Sequence, residues 1–156
     1  MKRFVALTLA TGFGSGCLKP APGTWGSLAA IIAAYGVSAF LGPLAVILGI
    51  AFFTLAGVWS ASAHEDLTGK KDAGEVVIDE WAGQWLAALP VALISPNTVW
   101  PWAAAFALFR AFDILKPGPI GWLDRSLKGG VGVMADDLLA GIAAAACLYG
   151  VLYAIH

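Results

Sequence analysis

The chain has 156 residues, of which 60% are hydrophobic and 12% are charged, and its mean hydropathy is +0.81. A soluble globular domain carries roughly twice this share of charged residues. The formal net charge of −1 argues against a nucleic-acid-binding protein, which needs a concentrated basic surface. The composition therefore predicts one membrane-embedded domain, residues 1–156, that has no nucleic-acid partner.

The N-terminal 23 residues are a short apolar segment followed by a loop rich in glycine and proline. The apolar segment imitates a signal peptide, but it is short and Gly14 stands where an aliphatic residue is expected. We therefore expect it to remain in the mature protein.

The loop spaces its glycines as a dinucleotide-binding motif does, but Pro20 and Pro22 occupy the place where the helix of that motif would begin. Two interpretations stay open. In the first, the loop is a flexible connection and Thr24 or Ser27 caps the next helix. In the second, it binds an anion through backbone N–H groups together with Lys19, Thr24 and Ser27.

Beyond this loop, apolar residues fall into blocks separated by short polar segments. Blocks of about 17 to 20 residues are typical of membrane-spanning helices. We therefore predict an all-α fold, a polytopic membrane bundle of about five hydrophobic helices. The predicted spans are residues 24–40, 44–61, 76–94, 99–115 and 137–155.

Basic residues are distributed unequally between the two ends of these spans. Eight of the nine fall in segments 1–23, 62–75 and 116–136, which five spans place on one side, whereas turns 41–43 and 95–98 carry none. By the positive-inside rule this side is cytoplasmic. The tryptophans that suit the outer interfacial belt are Trp100 and Trp102, and those that suit the inner belt are Trp25, Trp59 and Trp122.

Three charged groups fall at the predicted cytoplasmic ends of the spans. They are the pair Asp79 and Glu80, the row Arg110, Asp113 and Lys116 at i, i+3 spacing, and the pair Asp136 and Asp137. An ionisable side chain in lipid is costly and marks a functional site by default. Structural alternatives exist, since Asp136 and Asp137 could complement a helix N-terminus and Arg110 with Asp113 could be a local ion pair. Together, the three groups suit a divalent cation and a phosphate better than they suit packing.

Carboxylates without histidine or cysteine favour Mg²⁺, which is commonly held by a few carboxylates and the phosphate of a substrate. We assign no function to His64, which falls in a predicted exposed loop, or to the terminal His156. Cys17 and Cys147 are expected to be free thiols because no metal-ligand spacing surrounds them. Cys17 is not expected to be a nucleophile, because no arginine follows it within a short phosphate-binding loop and no histidine lies near it in the sequence.

Four polar stretches of the chain resemble the phosphatidylglycerophosphatase A family, which comprises Mg²⁺-dependent lipid phosphatases of bacterial phosphatidylglycerol synthesis. In the order of the family, the stretches are residues 12–14 with 21–27, 77–80, 109–120, and 132–137 with Ala140 and Gly141. Trp81 and Ala82 depart from the pattern in a peripheral way. The resemblance implies hydrolysis of phosphatidylglycerophosphate to phosphatidylglycerol and inorganic phosphate, in a multi-pass protein of the bacterial inner membrane whose active site faces the cytoplasm.

The resemblance also suggests roles for the polar residues. We expect Asp79, Glu80, Asp136 and Asp137 to hold one or two Mg²⁺ ions, and Asp113 to orient Arg110 or to act as a base. The residues expected to bind the substrate phosphate are Lys19, Thr24, Ser27, Arg110 and Lys116. Attack by water and a covalent aspartyl-phosphate both stay open, as does the oligomeric state.

Two other classes of protein compete with this interpretation. An ion-coupled transporter or lipid-binding subunit would carry its charges near the middle of the membrane, whereas here they lie at one interface. A phosphatidyltransferase is the closest alternative among enzymes, and it would require an activated, nucleotide-linked lipid.

Overall fold

The computed structural model describes residues 2–70, 73–127 and 129–155. Within these ranges the chain forms seven α-helices and one short 3-10 turn, and no strand. The helices are α1 (Lys2–Ala10), α2 (Pro22–Leu41), α3 (Pro43–Thr68), α4 (Ile78–Ile94), α5 (Val99–Leu115), α6 (Pro119–Ser126) and α7 (Gly129–Ile155). The predicted all-α class is confirmed, while Lys71, Lys128 and His156 lie outside the described residues.

Three of the described helices, α2, α3 and α7, are long and apolar enough to cross a membrane. The other two predicted spans form α4 and α5, which have 17 residues each. This length is at the lower limit for crossing the hydrocarbon core. The bundle is therefore established, and its crossing the membrane five times stays a prediction.

Several helix boundaries differ from those predicted. Helix α3 continues beyond residue 61 to Thr68, and the residue that follows, Gly69, has the left-handed backbone that commonly stops a helix. Helix α7 begins at Gly129 rather than at residue 137, and α6 forms inside the segment predicted as a polar loop. Hydropathy marks where a helix leaves the apolar region, whereas the backbone hydrogen bonds that define the helix continue past that point.

Helix α4 lies at the centre of the bundle and packs against α2, α3, α5 and α7. It is apolar around most of its circumference, as a fully surrounded helix should be, and both of its tryptophans, Trp81 and Trp85, are buried. Its closest neighbour is α7, because Gly83 and Gly141 face each other without side chains. A Cβ atom on Gly141 would collide with the Gly83 backbone. Small residues permit this close approach of two helices, which brings the middle of α7 next to the first turns of α4.

One predicted interfacial tryptophan is instead part of the core. Trp102 is only 4% exposed, its indole N–H donates to the Pro96 carbonyl at 3.1 Å, and its ring packs edge-on against Tyr35. The interfacial prediction for Trp102 is therefore wrong, because its polar atom finds a partner inside the protein. The other four tryptophans named above are exposed, as lipid anchoring requires.

Candidate active site

A polar cavity of about 840 Å³ lies at one end of the bundle. Its walls come from the start of α2, the end of α3, the start of α4, the end of α5, helix α6 and the first half of α7. The three charged groups singled out in the sequence therefore meet in one place, although the chain separates them widely.

Three carboxylates lie close together at this end of the bundle, and two of them, Asp79 and Glu80, line the cavity. Oxygen atoms of Asp79, Glu80 and Asp137 all lie within 4.8 Å of one another. Asp79 and Glu80 stand in the first turn of α4, and Asp137 is 3% exposed on α7. Glu80 Oε2 is buried without a hydrogen-bond partner among the described residues. Like charges this close are unfavourable unless a cation neutralises them.

The ligand atoms of this cluster fit a hard divalent cation. All three are carboxylate oxygens, the ligands that Mg²⁺ and Ca²⁺ prefer. A buried carboxylate oxygen without a hydrogen bond is costly, and coordination by Glu80 Oε2 would remove that cost. The earlier alternative, that Asp136 and Asp137 complement a helix N-terminus, is wrong because α7 begins at Gly129.

Arg110 is the cation nearest to this cluster. Its Nη1 donates to the Asp113 carboxylate and to Ser27 Oγ at 3.3 Å, and it lies 3.9 Å from Glu80 Oε1. Its Nε is buried with no hydrogen-bond partner among the described residues. The guanidinium is thus fixed on one side by its neighbours and retains an unused donor, as a binding site for an oxyanion requires.

A second cation, Lys116, lies at the end of α5. Its Nζ donates to Asp124 Oδ1 at 2.6 Å and to Asp136 Oδ2. Burial lowers the pKa of Lys116, but the hydrogen bonds to Asp124 and Asp136 outweigh it and raise the pKa above its ordinary value. Lys116 therefore stays protonated at neutral pH. Because its carboxylate faces Lys116, Asp136 does not belong to the three-carboxylate cluster.

The start of α2 completes the cavity wall. Pro22 and Gly23 line the cavity, and a side chain on Gly23 would collide with Glu80 Oε1. Ala21, the residue before them, has a left-handed φ of 59°, a strained conformation for alanine of the kind that concentrates at functional sites. The cap predicted for this helix is wrong, because Ala21 is the N-cap and Thr24 lies within the first turn.

The predicted phosphate-binding residues divide into two groups. Arg110 and Lys116 line the cavity, whereas Lys19, Thr24 and Ser27 are not among its lining residues. Ser27 is fully buried, donates to the Gly23 carbonyl at 2.8 Å and accepts from Arg110. Its position supports the guanidinium rather than a ligand.

The glycine-rich part of the N-terminal loop is structural. Its backbone N–H groups at residues 12–18 donate to carbonyls of residues 8–15, so they are not free to bind an anion. Ser15 Oγ accepts from Trp81 Nε1 at 3.2 Å, which ties the loop to α4. Neither interpretation offered for this part of the loop holds, since it is neither a flexible connection nor an anion-binding loop. Cys17 and Cys147 are free thiols, as predicted, and both are exposed.

Two polar residues near the site were missed by the sequence reasoning. His64 was placed in an exposed loop, but it lies on α3, is 2% exposed and lines the cavity, with Nε2 3.7 Å from Glu75 Oε1. A hydrogen bond from Lys70 lowers the pKa of Glu75.

Gln84 is fully buried one helical turn after Glu80, and both polar atoms of its amide lack partners among the described residues. The i, i+4 spacing from Glu80 was the available signal for Gln84.

Comparison with known proteins agrees with this geometry. A family profile described as phosphatidylglycerophosphatase A matches residues 8–152. The chain is 41% identical over 146 residues to phosphatidylglycerophosphatase A of Haemophilus influenzae, covering 93% of this chain and 87% of that protein. It is 41% identical over 145 residues to phosphatidylglycerophosphatase A of Escherichia coli, covering 90% and 80%. It is also 43% identical over 151 residues to a Bacteroides thetaiotaomicron protein provisionally named phosphatidylinositol-3-phosphatase, covering 91% of each. No solved structure matches the chain.

Proposed function

Because the chain belongs to the phosphatidylglycerophosphatase A family and is therefore a phosphatase, we propose that it hydrolyses phosphatidylglycerophosphate to phosphatidylglycerol and inorganic phosphate. The observation that carries this proposal is the three-carboxylate cluster beside Arg110, two of whose members line a polar cavity at one end of long apolar helices. In a membrane, the end of an apolar helix lies at the level of the lipid headgroups, where a phosphate ester would be within reach of the cavity.

We propose that Asp79, Glu80 and Asp137 hold Mg²⁺. The proposal is supported by their oxygen-only ligand set and by the unpartnered Glu80 Oε2. When bound, a divalent cation supplies positive charge that stabilises the charge developing on the phosphoryl oxygens. Asp136, the fourth expected ligand, is better assigned to holding Lys116, because its carboxylate accepts a hydrogen bond from that ammonium.

The remaining residues bind and orient the phosphate. Arg110 lines the cavity and its Nε is a buried donor without a partner among the described residues, while Asp113 and Ser27 accept hydrogen bonds from Nη1 and so fix the guanidinium. Lys116 adds a permanent positive charge on the neighbouring wall of the cavity. Asp113 is therefore assigned to orienting Arg110 rather than to acting as a base. Prearranged charges of this kind favour a transition state in which negative charge spreads over the phosphoryl oxygens.

In the proposed reaction, a water oxygen forms a bond to phosphorus while the bond from phosphorus to the glycerol oxygen breaks. A carboxylate of the cluster accepts a proton from the attacking water and passes it to the departing glycerol oxygen, so that the carboxylate is restored. If acid quenching instead traps a phosphate on the protein, the attacking group is an aspartate carboxylate and not water.

The test is release of inorganic phosphate from dioleoyl phosphatidylglycerophosphate by the purified full-length chain. We expect turnover that rises with added Mg²⁺ and is lost in excess EDTA. Asp66→Asn serves as the matched control, because Asp66 is an exposed acid on α3 that does not line the cavity. Full turnover in EDTA would contradict the metal proposal, and a requirement for a nucleotide-linked lipid would indicate a phosphatidyltransferase.

A second candidate substrate is a phosphatidylinositol phosphate. It is favoured by the Bacteroides relative, which is 43% identical to this chain, whereas the two phosphatidylglycerophosphatases are each 41% identical. Both lipids carry a terminal phosphate monoester, so the same cluster and arginine would serve either. The ratio of kcat/KM for phosphatidylglycerophosphate to that for phosphatidylinositol-3-phosphate decides between them, and a ratio below one would replace the first proposal.

We further propose that the protein lies in the bacterial inner membrane with its cavity facing the cytoplasm. The support is the cluster of basic residues at the cavity end, which the positive-inside rule assigns to the cytoplasm. Five spans would place a tag after His156 on the opposite side. Accessibility of that tag to a protease in spheroplasts tests the arrangement. A protected tag would mean that the chain crosses the membrane one time fewer than proposed.

A further inference from the structure

A second cavity, an apolar groove of about 320 Å³, lies between α2 and α5. Its lining is apolar and aromatic and includes Leu28, Ile31 and Tyr35 of α2 and Trp102, Ala103 and Phe106 of α5. The groove opens outward, since its rim residues Ile32 and Val99 are 63% and 70% exposed. It is therefore accessible from the lipid that would surround the bundle.

The wall of this groove is held in place by the protein itself. Trp102 is buried, its indole N–H is bonded to the Pro96 carbonyl at 3.1 Å, and its ring lies 5.4 Å from that of Tyr35 in an edge-on contact. A groove with such fixed walls does not have to reorganise when a ligand binds.

The two helices that form the groove also lead to the active site. Gly23, at the start of α2, lines the polar cavity, and so does Arg110, near the end of α5. Leu28 follows Gly23 by five positions and Phe106 precedes Arg110 by four. At about 1.5 Å per helical residue, the groove begins about 6 to 8 Å below the level of the cavity. It then continues for about 10 Å, to Tyr35 and Val99.

We propose that this groove binds one acyl chain of the lipid substrate while the phosphate occupies the polar cavity. The inference rests on the proposed function, because its occupant is the lipid part of that substrate. In a bilayer the acyl chains of a lipid lie deeper than its headgroup, and the groove lies deeper along α2 and α5 than Gly23 and Arg110 do. The two cavities therefore match the two parts of one amphipathic molecule.

The physical benefit of the groove is orientation rather than hydrophobic binding. Lipid tails are as apolar as the groove, so an acyl chain that leaves the bilayer for the groove gains no transfer free energy. A fixed chain does restrict how the headgroup enters the cavity, and misplacement of a reacting group by about 1 Å can lower a rate by about a hundredfold. We therefore expect the groove to affect kcat/KM only for substrates whose chains are long enough to reach it.

The variant that tests this is Ala103→Phe, which fills the groove from an exposed position. The matched control is Ala51→Phe on α3, where an exposed alanine lies outside the groove. Phosphate release is measured from dioleoyl and dibutanoyl forms of the same substrate. We expect Ala103→Phe to lower kcat/KM about tenfold for the dioleoyl form, a part of the full orientation effect, and to leave the dibutanoyl form and the control unchanged. Equal rates of all three proteins on the dioleoyl form would overturn the inference.

A labelling experiment on the unaltered protein tests the inference even if the variant does not fold. A non-hydrolysable dioleoyl substrate analogue with a photoreactive acyl chain should label residues 28–35 or 99–106, and photoreactive phosphatidylcholine should label them far less. Equal labelling by the two lipids would mean that the groove holds bulk lipid, and crosslinks between two chains at the groove would mean that a second copy covers it. Either result overturns the inference. If the unaltered protein releases phosphate from neither form of the substrate, the proposed function itself fails.

Discussion

Asp79 and Glu80 stand in the first turn of α4, whereas Asp136 and Asp137 stand in the third turn of α7, well past its start at Gly129. Both members of the first pair contribute oxygens to the carboxylate cluster, but only Asp137 of the second pair does so. Asp136 accepts a hydrogen bond from Lys116 instead. The two pairs look alike in the sequence, but their carboxylates have different partners in the structure.

The difference follows from helix geometry. Adjacent residues on a helix project about 100° apart, so two neighbouring carboxylates reach one point only if a side chain is long enough to bend back. Glu80 has the additional methylene that permits this, whereas two aspartates in the middle of a helix diverge. The α7 pair therefore links two parts of the site, with Asp137 in the cluster and Asp136 holding the lysine that adds positive charge to the cavity wall.

The largest effect should come from removing one charge of the cluster. We expect Asp79→Asn and Asp137→Asn each to lower phosphate release at least about a hundredfold, the scale of one lost transition-state charge contact worth roughly 2.7 kcal/mol. Asparagine retains the shape of the side chain, so thermal unfolding should change little. Turnover is measured across a Mg²⁺ titration with Asp66→Asn as the control. Near-normal turnover of both variants would eliminate the cluster as the metal site.

A smaller effect is expected at Asp136. Its size, and whether it adds to the effect of changing Lys116, shows whether Asp136 holds Lys116 or binds the metal. If Asp136 only holds Lys116, Asp136→Asn should lower turnover about tenfold, about 1.4 kcal/mol. The double variant Asp136→Asn/Lys116→Met should then be no slower than Lys116→Met alone, because contacting residues are not additive. A hundredfold loss for Asp136→Asn that adds fully to the loss for Lys116→Met would show that Asp136 is a metal ligand after all.

Much of the fold could be predicted from hydropathy, because long apolar blocks determine where helices lie in a membrane protein. What hydropathy could not give was the extent of each helix into the polar region. His64 lies on the part of α3 beyond the apolar block, and this is why it was wrongly placed in a loop. Asp136 and Asp137 were placed at a helix start for the same reason.

The candidate site could be predicted as a group of residues but not in its internal pairing. Charge at one interface and four family-like stretches brought Asp79, Glu80, Arg110 and Asp137 together correctly. Which carboxylate faces which cation depends on the rotation of α7 against α4, and the two helices approach each other closely at Gly83 and Gly141. Nothing in residue type alone distinguishes Asp136 from Asp137, so the assignment required the structure.

That glycine contact can be tested with a matched pair of substitutions on α7. Gly141→Ala adds a methyl group that collides with Gly83, whereas Gly150→Ala meets no atom within 4 Å. Overpacking of a tight contact costs about 1 to 3 kcal/mol, and a shift of α7 would move Asp137 away from the cluster. We expect Gly141→Ala to lower the unfolding temperature and to reduce turnover about fivefold, the equivalent of about 1 kcal/mol. Gly150→Ala should be neutral or slightly stabilising, and equal behaviour of the two variants would show that the contact does not control the site.

The smallest effect is expected at Cys17. If this thiol were the nucleophile, the difference between the two acidic pairs would not explain the activity. Cys17 is exposed, lies in the structural loop and is not among the residues that line the polar cavity. A surface substitution of this kind usually changes stability by less than about 0.5 kcal/mol, so Cys17→Ser should retain turnover within about twofold. The measurement is turnover beside thermal unfolding, with Cys147→Ser on α7 as the matched exposed cysteine. A Cys17→Ser protein that folds normally but releases no phosphate would transfer the chemistry from the carboxylates to a thiol.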